Sequence, residues 1–283
     1  MTAKTAPPMR DTRRVHVSPL VNLKPQHPAL RSSLLFGLQC CFAPSLLRVR
    51  ILFMLLVALS AAGCDRSTST PAARPTVSPG TCVIRGLVRF NGNPPEPQII
   101  GGNCCPGSTP VLDESLAVNA DGSLKNIVVY IQDGPNLDLG PMPQRVLAQK
   151  SCQYVPRVLA LQTGQTMVVT NHDPTVHNVL TQSNANPQQN IEEMQGAAHS
   201  FTFAHPDLIK FKCSVHPWMT AYVYVFDHPC FAVTGDDGRF EIGHLPPGTY
   251  TLVIWQEKLG TQQMQVTVAS DKPTEVKFEY HGN

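Results

Sequence analysis

Apolar residues along most of this chain recur at every second position, or gather in short runs bounded by Gly, Pro, Asn and Asp. No long stretch repeats at the helical period of about 3.6 residues, so strands are predicted throughout. The first run is "CVIRGLVRF" from Cys82, turning at Asn91-Gly92-Asn93. "SLAVNADGSLKNIVVYIQDG" is two β-rich runs around Asp121-Gly122, and "RVLALQTGQTMVVTN" is a further pair turning at Gly164. In "LIKFKC", Ile209, Phe211 and Cys213 share one face and Lys210 and Lys212 the other, as a half-buried strand requires. "TAYVYVF" follows, with Ala221, Val223 and Val225 at the parity of Met219. "FAVTGDDGRFEIGHLPPGTYTLVIWQ", "QQMQVTV" and "EVKFEY" complete the pattern. The fold class this predicts is all-β, of the sandwich type.

The N-terminal region breaks the pattern. Arg48 and Arg50 precede Ile51–Gly63, a run of 13 mostly apolar residues that ends at Cys64. A bilayer crossing needs about 20. A basic flank, a short apolar core and small residues before a cleavage point read as a secretory signal within a leader of residues 1–63. Residues 1–47 fit poorly as its basic flank, and translation starting near Leu47 or Val49 would explain them. A Cys directly after Ala61-Ala62-Gly63 resembles a bacterial lipobox, with Ala61 where Leu is usual, which makes Cys64 the lipid-carrying first residue of an exported, membrane-anchored chain facing the periplasm or cell surface. Residues 64–80 then form a Ser/Thr/Pro tether. The formal charge of +2 comes from the leader: residues 64–283 hold 14 basic and 19 acidic residues. Such a balance does not suit nucleic-acid binding.

Nine cysteines are many for an oxidising compartment unless most are committed, and their pairing is not deducible from the sequence. The vicinal pair Cys104-Cys105 suggests two separate disulfides. Cys213 belongs to "KCSVHPWM", where a thiol, an imidazole and a thioether fall on one tight loop between two strands, stiffened by Pro217. A trigonal metal plane needs a second imidazole. His177 in "TNHDPTVHNV", after the apolar strand that ends near Thr170, is the candidate. Two imidazoles and a thiolate, with a thioether along the axis, suit one type 1 copper: the soft donors favour Cu(I) and the imidazoles also accept Cu(II).

Residues 145–226 resemble the cupredoxins, the amicyanin/plastocyanin-like type 1 copper domains. Cys-x-x-His-x-x-Met matches their short ligand loop, and Asn-x-Asp-x-x-x-His-Asn-Val their first-histidine segment. The resemblance implies His177, Cys213 and His216 as equatorial ligands, Met219 as the axial one, and Asn178 as the residue fastening the histidine segment to the Cys loop. "GLVRFNGNPPEPQI" and "GDDGRFEIGHLPPGTYTLVI" resemble the two halves of a carboxypeptidase-regulatory-like, or transthyretin-like, seven-stranded sandwich, as in bacterial secreted lipoproteins. About 90 residues separate those halves. One arrangement nests a cupredoxin Greek-key sandwich of residues 135–227 within a second sandwich of 81–134 and 228–283; the other joins two domains in sequence.

The resemblance implies electron transfer with a redox protein partner that docks near His216, with Pro217 and Trp218 as candidate contacts; Trp218 packed between the domains is the competing reading. Copper storage or delivery is a second function, and a scaffold role in which the regulatory-like sandwich docks a partner a third. An enzyme is not expected. A copper oxidase or nitrite reductase would need a second copper centre, and no His-x-His occurs. His172, His199, His205, His228 and His244 show no paired spacing and read as surface or turn residues.

Overall fold

The computed structural model describes residues 74–269 and 272–282. The leader, Cys64 and the first part of the tether lie outside them. Among the described residues there are strands and turns and no helix, and the protein is all-β.

Two pairs of sheets carry the chain. In the first pair, a four-stranded sheet runs in the order Phe231–Val233, Val128–Ile131, Gly248–Gln256, Gly260–Val268. Its companion has Cys82–Asn91 between Arg239–Leu245 and Thr274–His281, antiparallel to the former and parallel to the latter. Alternate residues of Cys82–Asn91 are buried, and Ile84 and Val88 join Leu252 and Ile254 of the facing sheet in one core. Gly86 is fixed by packing, since a Cβ there would collide with the ring of Phe240. Strands on either side of residues 145–226 in the chain are therefore hydrogen-bonded neighbours.

Residues 145–226 build the second pair. One sheet orders Ala198–Phe201, Met167–Asn171, Arg145–Lys150, Gln153–Val155; the other orders Asn190–Glu193, His177–Gln182, Asp207–Lys212, Thr220–Phe226, Val158–Gln162. Phe211 lies at the centre of their shared core, meeting Tyr154, Phe201 and Phe203 edge-on at centroid distances of 5.9–6.4 Å, a favourable aromatic geometry. Thr220–Phe226 has no polar face because both faces are used. Ala221, Val223 and Val225 enter this core, while Tyr222, Tyr224 and Phe226 pack with Tyr130, Phe231 and Trp255 of the first pair.

Two predicted hairpins take another form. The turn at Gly164 does not join paired strands, because Val158–Gln162 pairs with Thr220–Phe226 and Met167–Asn171 with Arg145–Lys150 in the opposite sheet. The turn at Asp121-Gly122 forms, yet its flanks share only the bridge Val118–Leu124. Their backbone groups go instead to the neighbouring strand, Leu124 N–H to the Val88 carbonyl and Gly122 carbonyl from Phe90 N–H.

His228 is buried, at 3% exposure, rather than at the surface. Its ring lies 5.5 Å from that of Phe226, and Nδ1 accepts the Cys230 N–H at 3.1 Å. Burial, against the opposing pull of Asp227, takes the imidazole pKa down to about 4. Between that value and the ordinary one near 6.5, the unfolded chain takes up a proton that the folded chain refuses, so stability falls on acidification through this window. His228→Asn is expected to remove about 1.5 kcal/mol of the stability lost between about pH 6.5 and pH 5. Urea denaturation of both proteins at the two pH values measures it, and identical losses would contradict it.

Candidate metal centre

The strand Met167–Asn171 ends in a residue that folds the next turn. Asn171 Nδ2 donates to the carbonyls of Thr175 and Glu193, both at 2.8 Å, while its Oδ1 accepts the Asp173 N–H at 2.9 Å. Such side-chain bonding to nearby backbone is what Asn does well. The turn aims His177, the first residue of the next strand, into the core. Asp173, itself buried, accepts the N–H groups of Ser151 at 2.7 Å and Cys152 at 2.8 Å, and holds His177 Nε2 at 2.9 Å. With Nε2 held on a carboxylate, the His177 ring turns Nδ1 inward, the arrangement that orients metal-bound imidazoles.

Asp207–Lys212 delivers Cys213 to the same place. Its Sγ receives the N–H groups of Asn178 and His216, each at 3.4 Å. The loop closes on itself: Met219 N–H donates to the His216 carbonyl at 2.9 Å, and Cys213 N–H to the Met219 carbonyl at 3.3 Å. Asn178 ties the two segments together, its Oδ1 accepting the Ser214 N–H at 2.9 Å while its amide donates to Asn190 Oδ1. Met219 is 1% exposed and shares the core cluster of Cys213.

His177 Nδ1 and His216 Nδ1 face each other at 2.9 Å, and Cys213 Sγ lies 3.9 Å from His216 Nδ1. These three ligand atoms all fall within 4.8 Å of one another, and all three residues are buried. Burial raises the Cys213 thiol pKa, but the bond to His177 and the N–H groups of His216 and Asn178 more than offset it, so the pKa is lowered overall. Burial and the neighbouring His177 both depress the His216 imidazole, favouring its neutral form. For Asp173, burial raises the carboxyl pKa while the Cys152 N–H, the His177 ring and the Ser151 N–H lower it further, keeping it ionised. Burial lowers the His177 imidazole pKa, but the bonds to Cys213 and Asp173 raise it overall; two imidazole nitrogens and one sulfur thus converge on one buried point. They fit a borderline-soft metal ion such as copper.

Trp218 donates Nε1–H to the Cys152 carbonyl at 3.0 Å, and its ring centroid lies 5.3 Å from that of His216. The backbone of Gly101 presses against its indole, where a Cβ would collide. It is half-buried, whereas Pro217 and Val215 are exposed. Vicinal Cys104-Cys105 does not make two disulfides: Cys104 bonds Cys152, and Cys105 is free, as are Cys82 and Cys230. His172 and His205 are exposed, His244 likewise, and His199 reaches the buried Glu193 at 2.6 Å. Sequence reasoning did not single out Asp173 or Cys152, although Asp173 is the acidic residue of the Asn-x-Asp motif.

The family model that matches the chain, over residues 230–276, is domain II of polysaccharide lyase family 4. No curated protein sequence matches the chain. Among solved structures it is similar to the Cu-containing nitrite reductase from Thermus scotoductus SA-01, at 22% identity and a TM-score of 0.28, over 31% of this chain and 23% of that enzyme. The chain thus spans under a quarter of the reductase. It is also similar to a mutant of amicyanin in its Cu(I) form, at 20% identity and a TM-score of 0.27, over 34% of this chain and 97% of that one. A purple cupredoxin from Nitrosopumilus maritimus matches at 24% identity and a TM-score of 0.25, over 29% of this chain and 97% of that protein.

Proposed function

We propose that the protein is a type 1 copper electron carrier rather than an enzyme, in which His177, Cys213, His216 and Met219 would hold the copper. The observation that carries this reading is the convergence of two buried imidazole Nδ1 atoms and one buried thiol within 4.8 Å. Copper, when bound, supplies one-electron cycling between Cu(I) and Cu(II). The residues supply the rest. Asp173 holds the His177 ring, the N–H groups of Asn178 and His216 hold the sulfur, and Asn178 pins the Cys loop, so the donors keep their places through a change of charge. Burial keeps water from the donors.

On this reading a cupredoxin unit of residues 135–227 is nested within a sandwich of residues 81–134 and 228–283. The chain is exported, and lipid on Cys64 with a tether of residues 64–80 holds it to a membrane. Its partner is a redox protein reached through the exposed side of the loop at Val215 and Pro217. The test is to add Cu(II) to the protein, record visible absorption and EPR, and cycle it with a mild reductant and oxidant. A colourless Cu(II) complex with tetragonal EPR parameters would sink the carrier. Ready loss of copper to a modest chelator in both oxidation states would favour storage or delivery instead. Asn178→Ala is expected to weaken copper binding by about 10–100-fold, the usual effect of removing a group that orients a ligand. Asn178→Asp, which keeps the acceptor for Ser214 N–H, should lose less in the same chelator competition.

A further inference from the structure

Beside the candidate metal centre, three sulfurs meet at the edge of the core. The short hairpin of Ile99–Gly101 and Val111–Leu112 carries the loop with Cys104 and Cys105. Cys105 Sγ lies 3.7 Å from Cys104 Sγ, and the ligand atoms of Cys104, Cys105 and Cys152 are all within 4.8 Å of one another. Cys104 and Cys105 are half-buried, while Cys152 is fully buried. The disulfide thus joins a fully buried inner cysteine to a half-buried outer one, with a free thiol beside both.

We propose that Cys104, Cys105 and Cys152 form a thiol–disulfide exchange site, in which Cys152 is shared between two alternative partners and a small monothiol is the external co-reactant. In the internal step the Cys105 thiolate attacks Cys152 Sγ. The Cys105–Cys152 bond forms, the Cys104–Cys152 bond breaks, and Cys104 leaves as a thiolate that takes up the proton Cys105 gave away. No electron is gained or lost. Externally, the thiolate of the small thiol attacks Cys104 Sγ, on the less buried side of the bond, giving a mixed disulfide on Cys104 and releasing Cys152 as a thiolate that takes up the proton the small thiol gave away; attack of the Cys152 thiolate on Cys104 Sγ of that mixed disulfide expels the small thiolate and restores the bond. These are ordinary exchange steps, which depend on thiolate access and on which sulfur is attacked.

The inner sulfur sits where its state matters. Ser151 and Cys152 both take left-handed backbone conformations, at φ of 54° and 56°, and point successive N–H groups at Asp173. Non-glycine residues hold that conformation only when their surroundings over-determine it. The Asp173 bonds and the disulfide do so here. Cys152 also accepts from Trp218. Which cysteine holds Cys152 is therefore felt at Asp173, and so at His177; this consequence rests on the copper reading, while the exchange itself does not.

The test uses the metal-free full-length protein. It is incubated with a catalytic amount of glutathione, quenched with an alkylating agent, and mapped without reduction, with fragmentation between the two adjacent residues locating the alkyl group. Both connectivities are expected, Cys104–Cys152 and Cys105–Cys152, and Cys105→Ser should abolish the second. Alkylation on Cys105 alone in every wild-type molecule would overturn the proposal. In Cys104→Ser, Cys105 is expected to take over the bond to Cys152; a folded variant with both thiols free would also overturn it. Because no metal is present, failure here is distinct from failure to bind copper.

Discussion

Replacing Cys213 with serine is expected to abolish the visible absorption of the copper-loaded protein and to cut its affinity for copper by more than about 100-fold, beyond what loss of an orienting group costs. The colour of a type 1 centre comes from a copper–thiolate bond. A serine hydroxyl is a hard donor that stays protonated at neutral pH, so neither the bond nor its charge transfer survives. The fold should survive. Cys213 is buried at the end of a strand whose inward residues Ile209 and Phe211 are untouched, and the N–H groups of Asn178 and His216 that meet the sulfur can meet an oxygen instead. A buried hydroxyl with partners costs little. Near-UV circular dichroism and thermal melting of the metal-free variant should therefore match the parent. Met219→Leu is the informative companion: on the copper reading it would remove a soft thioether and leave the two imidazoles and the thiolate, so colour should persist while the potential shifts. Persistent colour in Cys213→Ser would show that the thiolate is not the donor.

Much of this site lay in local pattern, and its supports did not. The parity of Ile209, Phe211 and Cys213 follows from the period of a strand, and the all-β fold from the same alternation. The closeness of His216 to Cys213 is a property of one short loop. By contrast, Asp173 matters through contacts with Ser151 and Cys152, about 20 residues earlier in the chain. No local pattern announces such a contact. The partner of Cys152 is likewise set by where the hairpin of Ile99–Gly101 lands. The same limit explains Gly164, where a strand–turn–strand pattern predicts a hairpin but sheet packing separates the two strands. It also explains His228, whose burial depends on Phe226 and Gly134 closing around it.

The largest single loss of stability is expected from Glu257→Ala. Glu257 follows the strand Gly248–Gln256 of the first pair of sheets, and Arg157 precedes Val158–Gln162 of the second, so their ion pair joins the two. It is a two-pronged contact, Nε and Nη2 of Arg157 meeting the two carboxylate oxygens, the second at 3.0 Å. Their side chains are only 11% and 7% exposed. Burial alone would lower the Arg157 pKa, and the bond to Glu257 and its charge reverse that and raise it; without Glu257 the guanidinium still stays charged, because arginine is not deprotonated in proteins. Removing the carboxylate leaves that charge buried and unpaired, at a cost of about 3–5 kcal/mol. Asp113, whose charge also acts on Arg157, places the loss toward the lower end. The pair Arg157→Met with Glu257→Leu removes both charges at similar volume and should fall within about 1 kcal/mol of the parent, since buried pairs often do no better than apolar replacements. Urea denaturation can follow both pairs of sheets at once, because the protein's two tryptophans, Trp218 and Trp255, report one on each. In Glu257→Ala the midpoint should fall, while in the double variant it should return. A loss below about 1 kcal/mol in the single variant, the size of a solvent-exposed pair, would mean that the contact between the sheets rests on the apolar cluster around Tyr222, Tyr224 and Phe226.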